Sequence, residues 1–406
     1  MPNRLHNARL LIYSHDTFGL GHLRRCQAIA HSLVEQFKGL SVLILSGSPI
    51  IGSFDFRARV DFVRIPGVIK LYSGEYTSLG LHIDLKETLA IRASIIRHTA
   101  EIFAPDLFLV DKEPLGLKEE IRDTLTMLKG RGTTLVLGLR DIMDEPALLS
   151  RDWNARNMVP VLEDLYDEIW VYGLSQIWDP LADMDVPPSV RQKMIYTGYL
   201  RRAVPKASSV SPVVHMDEPY VLVTAGGGGD GALMMDWVLR AYESDGDLPH
   251  GALLVLGPFM RPELRNGFED RANRLERVKA ITFDSHMEIL MAQSTGVVAM
   301  GGYNTMCEIL SFDKRALIVP RLKPRQEQLL RATRAQELGL VKLLNPDGNG
   351  DARIMAEALR ALPRQNLPSD VMMPGLLDGL ATVGGLLQRH VAARSAPARR
   401  RVLGRV

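Results

Sequence analysis

Short apolar runs rich in β-branched residues alternate with longer amphipathic stretches through almost the whole chain. In the first half the runs are Arg9–Tyr13, Ser41–Leu45, Asp61–Ile65, Leu107–Asp111, Thr134–Gly138 and Glu168–Tyr172. Helical patterns fill most of the gaps, as over His22–Phe37, Leu85–Phe103 and Leu117–Lys129. The second half repeats the alternation at Tyr220–Thr224, Ala252–Leu256, Lys279–Phe283, Gly296–Met300 and Ala316–Pro320. Apolar runs of about five residues between helices read as strands buried on both faces. That pattern requires an α/β fold with doubly wound parallel sheets. A chain of 406 residues makes two such domains. The segment between the halves carries prolines and serines without periodicity, which marks a linker. The expected organisation is therefore an N-terminal domain over 1–200, a linker over 201–218 and a C-terminal domain over 219–369. A closing helix over 370–391 and a basic tail over 392–406 complete it.

Composition narrows the function classes. The formal charge of +2 is too balanced to make nucleic acid the main partner. Two cysteines, Cys26 and Cys307, rule out a disulfide scaffold and a four-cysteine zinc site, and a reducing, cytoplasmic compartment is expected. The N-terminus has no apolar leader, and no apolar run approaches the roughly 20 residues that span a bilayer. The arginine-rich tail reads as a solvated end, with peripheral contact at the inner face of a membrane as the alternative. The segment Tyr72–Gly80 has no core pattern and reads as a surface loop or a loop over a cleft.

Two strand-to-helix turns carry the chemistry. Thr224-Ala-Gly-Gly-Gly-Gly-Asp-Gly231 follows one strand, and Met300-Gly-Gly-Tyr-Asn-Thr-Met-Cys-Glu308 follows another. A strand that ends in glycines and feeds a helix aims backbone N–H groups and a positive helix end at one spot, which suits a phosphate. Two such turns in one domain suit a diphosphate, and Glu308 then reaches a neighbouring sugar hydroxyl. One charge at a helix N-terminus contributes only about 0.3–1 kcal/mol. A hydrogen bond to a charged oxygen adds about 1.5–3 kcal/mol. Millimolar-to-micromolar binding needs about 4–8 kcal/mol, so both turns and Thr305 are needed together. Gly226–Gly231 satisfies G-x-G-x-x-G, yet the next strand ends Leu256-Gly-Pro258 without the carboxylate that a dinucleotide ribose requires. The run also lacks the Gly-Lys-Ser/Thr ending of a triphosphate loop.

Residues 219–340 resemble the donor domain of GT-B glycosyltransferases, most of all the group of the N-acetylglucosaminyltransferase that completes peptidoglycan lipid II. Five pieces carry the likeness in order: Val221-Leu-Val-Thr-Ala-Gly-Gly-Gly, Ile281-Thr-Phe-Asp-Ser-His-Met287, Gly301–Glu308, Leu317-Ile-Val-Pro320 and Gln326-Glu-Gln-Leu-Leu-Arg-Ala332. The resemblance implies two Rossmann-like domains facing across a cleft. It implies diphosphate binding by Gly227, Gly228, Gly301, Gly302 and Thr305, ribose binding by Glu308, and contact of Gln328 with the donor sugar. Asn304 is also assigned to donor binding, although it stands where such enzymes have a small residue, and Met300-Gly-Gly-Tyr303 departs from their Arg-Ala-Gly.

On the N-terminal side, Ser14–Cys26 is the first strand-to-helix turn. His22 at the helix start meets a positive dipole end, which keeps its imidazole neutral and able to accept a proton from an attacking hydroxyl. GT-B enzymes carry a similar Gly-His turn. Gly21-His-Leu-Arg-Arg-Cys26 also resembles the UDP-sugar hydrolase of pseudaminic acid synthesis. Asp111-Lys-Glu113 follows a buried strand, so these charges belong at the cleft, with Asp111 as an alternative base or the orienter of His22. Gly21, Arg25 and Glu113 belong to the acceptor side, where Arg24 and Arg25 either hold an anionic acceptor or form a solvated face. Arg140 and Asp141 follow another strand and pair with each other or serve the cleft. Asp183-Met-Asp185 matches an Asp-x-Asp metal motif in an irregular stretch, and no metal site is assigned to it. No G-x-S-x-G elbow appears.

The expected function is transfer of a sugar from a UDP-sugar to a glycan, lipid or small-molecule acceptor, without metal or other cofactor and with inversion. A UDP-sugar hydrolase and a non-catalytic nucleotide-sugar-binding subunit are the alternatives.

Overall fold

A computed structural model describes residues 3–16, 20–70, 75–182, 184–204, 214–323, 325–345, 350–371 and 373–395. The 72–74 part of the expected cleft loop, Asp183 and the 396–406 part of the tail lie outside them.

The N-terminal strands are β1 (Asn3–Ser14), β2 (Phe37–Ser46), β3 (Val60–Arg64), β4 (Val68–Lys70), β5 (Tyr76–Ser78), β6 (Leu107–Asp111), β7 (Thr134–Arg140), β8 (Glu168–Tyr172) and β9 (Met194–Tyr196). Seven of them form a parallel sheet in the order β3-β2-β1-β6-β7-β8-β9, and β4 and β5 pair as a separate hairpin. The C-terminal strands are β10 (Tyr220–Thr224), β11 (Gly251–Val255), β12 (Val278–Ile281), β13 (Gly296–Ala299), β14 (Ala316–Ile318) and β15 (Lys342–Leu343). They form a second parallel sheet, β12-β11-β10-β13-β14-β15. In both sheets the strand order reverses beside the first strand, so each sheet opens a crevice at the carboxyl ends of its central strands. Central strands such as β6, β10 and β11 are buried at every position, which is why they read as continuous apolar runs rather than alternating ones.

The helical pattern expected over Leu117–Lys129 breaks into a 3₁₀ turn at Leu117–Glu119 and a helix at Arg122–Gly130. Lys118 and Glu119 take positive φ angles of 48° and 67°. The break delivers Glu120 to the core, where its carboxylate accepts two hydrogen bonds from Arg92 and one from the Tyr13 hydroxyl, each 2.6 Å.

The C-terminal helix spans Gly379–Ser395 and packs on the N-terminal domain. Gln36 Nε2 donates to Leu380 O at 3.2 Å, and Arg394 donates to Asp106 O at 2.7 Å. The chain therefore crosses between the domains twice, and the crossings touch. Tyr199 N donates to Leu376 O at 2.7 Å. Gly198 lies there at φ 86°, and a Cβ would stand 2.4 Å from Gly375 O. Only glycine allows two backbones to approach so closely.

Candidate active site

Residues from both domains line a cavity of ≈ 210 Å³ in the cleft. The C-terminal wall begins at the turn after β10. Gly227 faces the cavity, but Gly228 does not. Gly228 is buried at φ 90°, where a Cβ would meet Leu256 O at 2.4 Å and Gly257 Cα at 2.9 Å. Its backbone packs against the end of β11, and this sets the turn that presents Gly227. The second turn divides in the same way. Gly302, the N-cap of the Tyr303–Ser311 helix, lines the cavity. Gly301 lies behind it at φ 79°, with its carbonyl accepting from Arg331 at 3.1 Å. Thr305, Glu308 and Gln328 also line the cavity. Of the four glycines expected at the phosphates, Gly227 and Gly302 line the cavity, and Gly228 and Gly301 shape the turns behind it.

Asn304 is at the cavity wall with both ends of its amide taken by protein. Its Nδ2 donates to Gly21 O at 2.9 Å, and its Oδ1 accepts from Arg202 at 2.9 Å. It ties the Tyr303–Ser311 helix to the Gly21–Gln36 helix across the cleft while still lining the cavity at the position expected of a donor contact.

Glu308 is 2% exposed. Burial pushes its carboxyl up, and Arg24 opposes that shift. Arg24 reaches across the cleft and donates to Glu308 at 2.6 Å and to Glu288 at 2.7 Å. It therefore bridges the domains at the acid assigned to ribose, rather than standing free for an acceptor.

Gly21, Arg24 and Arg25 line the N-terminal side, while His22 and Asp111 lie outside the cavity lining, next to these residues. His22 Nδ1 lies 2.5 Å from Asp111 Oδ2. Arg25 clamps the same carboxylate through Nε at 2.8 Å and Nη2 at 2.6 Å. Carboxylate and guanidinium side chains are each 2% exposed, while the imidazole keeps 18%. The carboxylate partner assigns the proton to Nδ1 and leaves the Nε2 lone pair as the acceptor. Burial lowers the His22 pKa, Asp111 opposes this, and Arg25 and Lys112 add to it. The neutral imidazole expected from the helix dipole is thus maintained chiefly by desolvation. Burial alone would raise the Asp111 carboxyl, but Arg25 and His22 hold it well below the usual range. A fully clamped carboxylate of that kind is an orienter rather than a base. Asp16 satisfies the helix start, accepting from Leu23 N at 3.2 Å and from the Ser46 hydroxyl at 2.6 Å. His15 packs edge-on against His22 at 5.7 Å between ring centres. Glu113 lies outside this cavity lining, paired with Arg156 at 3.1 Å and with Lys112 at 3.8 Å.

Several cleft residues were not singled out by the sequence patterns. Glu327, next to Gln328, is 5% exposed and keeps one carboxylate oxygen, Oε2, without a partner among the described residues. Phe54 and Phe283 meet edge to face at 6.4 Å across the cleft. Phe283 lies in the Ile281–Met287 piece of the donor-domain resemblance, whereas Phe54 lies in the connection after β2, where no pattern marks it. Asp141 does not pair with Arg140. It accepts from Arg331 of the other domain at 2.7 Å and 2.9 Å, and from the Tyr199 hydroxyl at 2.8 Å.

No family model matches the chain. A curated protein of Methanosarcina acetivorans described as an uncharacterized glycosyltransferase is 23% identical over 401 residues, covering 93% of this chain and 97% of its own. Among solved structures, the calicheamicin glycosyltransferase CalG4 superposes with a TM-score of 0.61 at 14% identity, covering 96% of this chain and all of that one, 100%. Phytolacca americana UGT2, solved with UDP-2fluoro-glucose and pterostilbene, gives 0.60 at 14% identity over 95% of this chain and 99% of its own. Acinetobacter baumannii MurG gives 0.56 at 12% identity over 96% and 100%. All four are glycosyltransferases, so the resemblance of the Gly21–Cys26 turn to a UDP-sugar hydrolase finds no counterpart among them. Two doubly wound Rossmann-like domains, a shared cleft and a C-terminal helix that returns to the first domain give this chain the GT-B fold of the glycosyltransferases.

Proposed function

We propose that the chain is a glycosyltransferase that moves a sugar from UDP to an acceptor hydroxyl, with inversion and without a metal. The observation that carries this reading is the meeting of two glycine turns and Glu308 from one domain with the His22–Asp111 pair from the other. In this reading the backbone at Gly227 and Gly302, with the helix ends behind them, receives the diphosphate. Thr305 adds a hydroxyl donor, Glu308 accepts the ribose hydroxyls, and Glu327 and Gln328 face the transferred sugar. Phe54 and Phe283 offer apolar faces at the nucleoside end.

Asp111 fixes the His22 ring so that Nε2 takes the proton of the acceptor hydroxyl. The acceptor oxygen then attacks the anomeric carbon from the face opposite UDP, the bond to the phosphate oxygen breaks, and one displacement inverts the centre. The positive helix ends meet the charge that develops on the departing diphosphate. The glycosyltransferase relatives support a nucleotide-sugar donor. UDP in particular rests on the likeness of the glycine turns and Glu308 to their donor domains.

Calorimetry with UDP tests the donor site: Glu308→Ala is expected to lose most of the affinity, and unchanged affinity rejects the ribose assignment. His22→Ala is expected to depress turnover far more than UDP binding, and a fully active variant removes His22 as the base.

A further inference from the structure

Arg140 ends β7 and lines the cleft cavity, yet nothing above gives it a partner. Its Nε is buried with no hydrogen-bond partner among the described residues, and Nη2 reaches only Met143 O at 3.4 Å. The adjacent acid, Asp141, is turned to Arg331 and Tyr199. Burial pushes the Arg140 pKa down to about 10, Arg25 adds to this, and Glu327 only partly offsets it. Arg140 thus stands among cations, Arg25 and Arg331, without a carboxylate in ion-pair contact among the described residues. A second cation stands at the end of the neighbouring strand. Lys112 follows β6, its amide donates to Gly138 O at 2.8 Å, and its nearest carboxylate is Glu113 at 3.8 Å. Burial pushes Lys112 down to about 8. A half-buried guanidinium whose Nε is fully enclosed is expensive to maintain without a counter-ion unless a ligand supplies one.

The position of Arg140 limits what that ligand is. The glycine turns address the diphosphate, and Arg24 stands at Glu308. Arg140 lines the same cavity as Glu327 and Gln328, and its charge acts on Glu327. We propose that Arg140 binds a carboxylate or phosphate group of the substrate where the transferred sugar meets the acceptor. The inference rests on the nucleotide reading above only for the placement of sugar and acceptor. A planar guanidinium suits either oxyanion, through two parallel hydrogen bonds. The group belongs either to the sugar, as in a hexuronic acid, or to an acidic acceptor.

The test is calorimetry on the full chain and on Arg140→Met and Arg140→Lys. UDP, UDP-glucose and UDP-glucuronate are titrated first, and then inorganic phosphate into UDP-saturated protein. UDP affinity is expected to stay within about threefold across the three proteins, because the glycine turns do not involve Arg140. A wild-type preference of about tenfold or more for UDP-glucuronate over UDP-glucose places the anion on the sugar. Phosphate binding to the UDP complex places it on the acceptor. In either case Arg140→Met should abolish the effect and Arg140→Lys should retain part of it. The absence of both the preference and phosphate binding in the wild type overturns the proposal, and so does an effect that Arg140→Met leaves intact. If UDP itself does not bind, the nucleotide reading fails on its own. Phosphate titrated into ligand-free protein then decides the role of Arg140, since binding that depends on Arg140 upholds it and no binding overturns it. The wild-type arms need no variant, so misfolding of Arg140→Met leaves the decision with them.

Discussion

Asp111→Asn separates the orienting role of this residue from every other property of the cleft. The carboxylate accepts three hydrogen bonds, at 2.8 and 2.6 Å from Arg25 and at 2.5 Å from His22 Nδ1. An amide of the same shape keeps one accepting oxygen and turns an N–H₂ towards the other donors. Whichever way it flips, a donor faces an Arg25 N–H. Two effects follow. Arg25, 2% exposed, loses its counter-ion, and breaking a buried pair costs about 3–5 kcal/mol. In the flip that puts the N–H₂ at the Oδ2 position, His22 loses the acceptor that holds the proton on Nδ1, so the tautomer with Nε2 protonated becomes accessible and cannot act as a base. In the Ser-His-Asp template an equivalent change lowers turnover about 10⁴-fold. A drop of about 10²–10⁴-fold is expected here. Asp111 also raises the His22 pKa. Its neutralisation moves the acid limb of the pH–rate profile further below the ordinary histidine value near 6.5. The assay is UDP release from the donor between about pH 4 and about pH 9, which spans the histidine range, with water as acceptor where no better one is present. UDP affinity by calorimetry and stability by urea unfolding are measured beside it. A folded variant whose turnover stays within about threefold of wild type refutes the role given to the pair, and so does an acid limb that moves upward.

Three further outcomes are expected. Gly228→Ala should destabilise the C-terminal domain by more than about 1 kcal/mol and weaken UDP binding, because its φ is 90° and a Cβ would lie 2.4 Å from Leu256 O; denaturant unfolding and calorimetry read both. Gly267→Ala, inside the Pro262–Ala272 helix with nothing within 4 Å of a Cβ, should stabilise by about 0.5–1 kcal/mol and leave UDP affinity unchanged. His15 is buried, and desolvation, its largest cause, lowers its pKa from 6.5 to about 3. Its unfolded form binds the proton first, so it destabilises the fold as pH falls below about 6.5 and its effect levels off below about 3. That amounts to about 2 kcal/mol at pH 5. His15→Phe should flatten this part of the stability profile in urea titrations, and an unchanged slope removes His15 as its source.

Much of the architecture follows from local pattern alone. The Leu85–Phe103 helix has the bounds its periodicity implies because its ends are locally determined. Asp84 accepts from Glu87 N at 2.7 Å at the start, and Ala104 turns left-handed at φ 46° at the end. Strands β6, β8 and β10 likewise match their apolar runs, since burial on both faces demands an unbroken run. The two- and three-residue strands β4, β5, β9 and β15 are too short to show a period, and only pairing with a neighbour defines them. The interruption at Lys118 is equally hidden, because the cause is Glu120, whose partners Tyr13 and Arg92 lie 107 and 28 residues away.

The site divides along the same line. The chain order by itself determined which turns follow strands, and hence that the glycine turns, the Gly21–Cys26 turn and Asp111 lie at the carboxyl ends of the two sheets. Only the tertiary structure decided what each of them faces. Gly227 and Gly228 are adjacent and chemically identical, yet one lines the cavity and the other supports it, because backbone dihedrals and the approach of Leu256 differ between them. Arg24 and Arg25 are also adjacent, yet one bridges to Glu308 across 284 residues and the other clamps Asp111 across 86. Periodicity reports burial within one element, whereas a charge chooses its partner by distance in space.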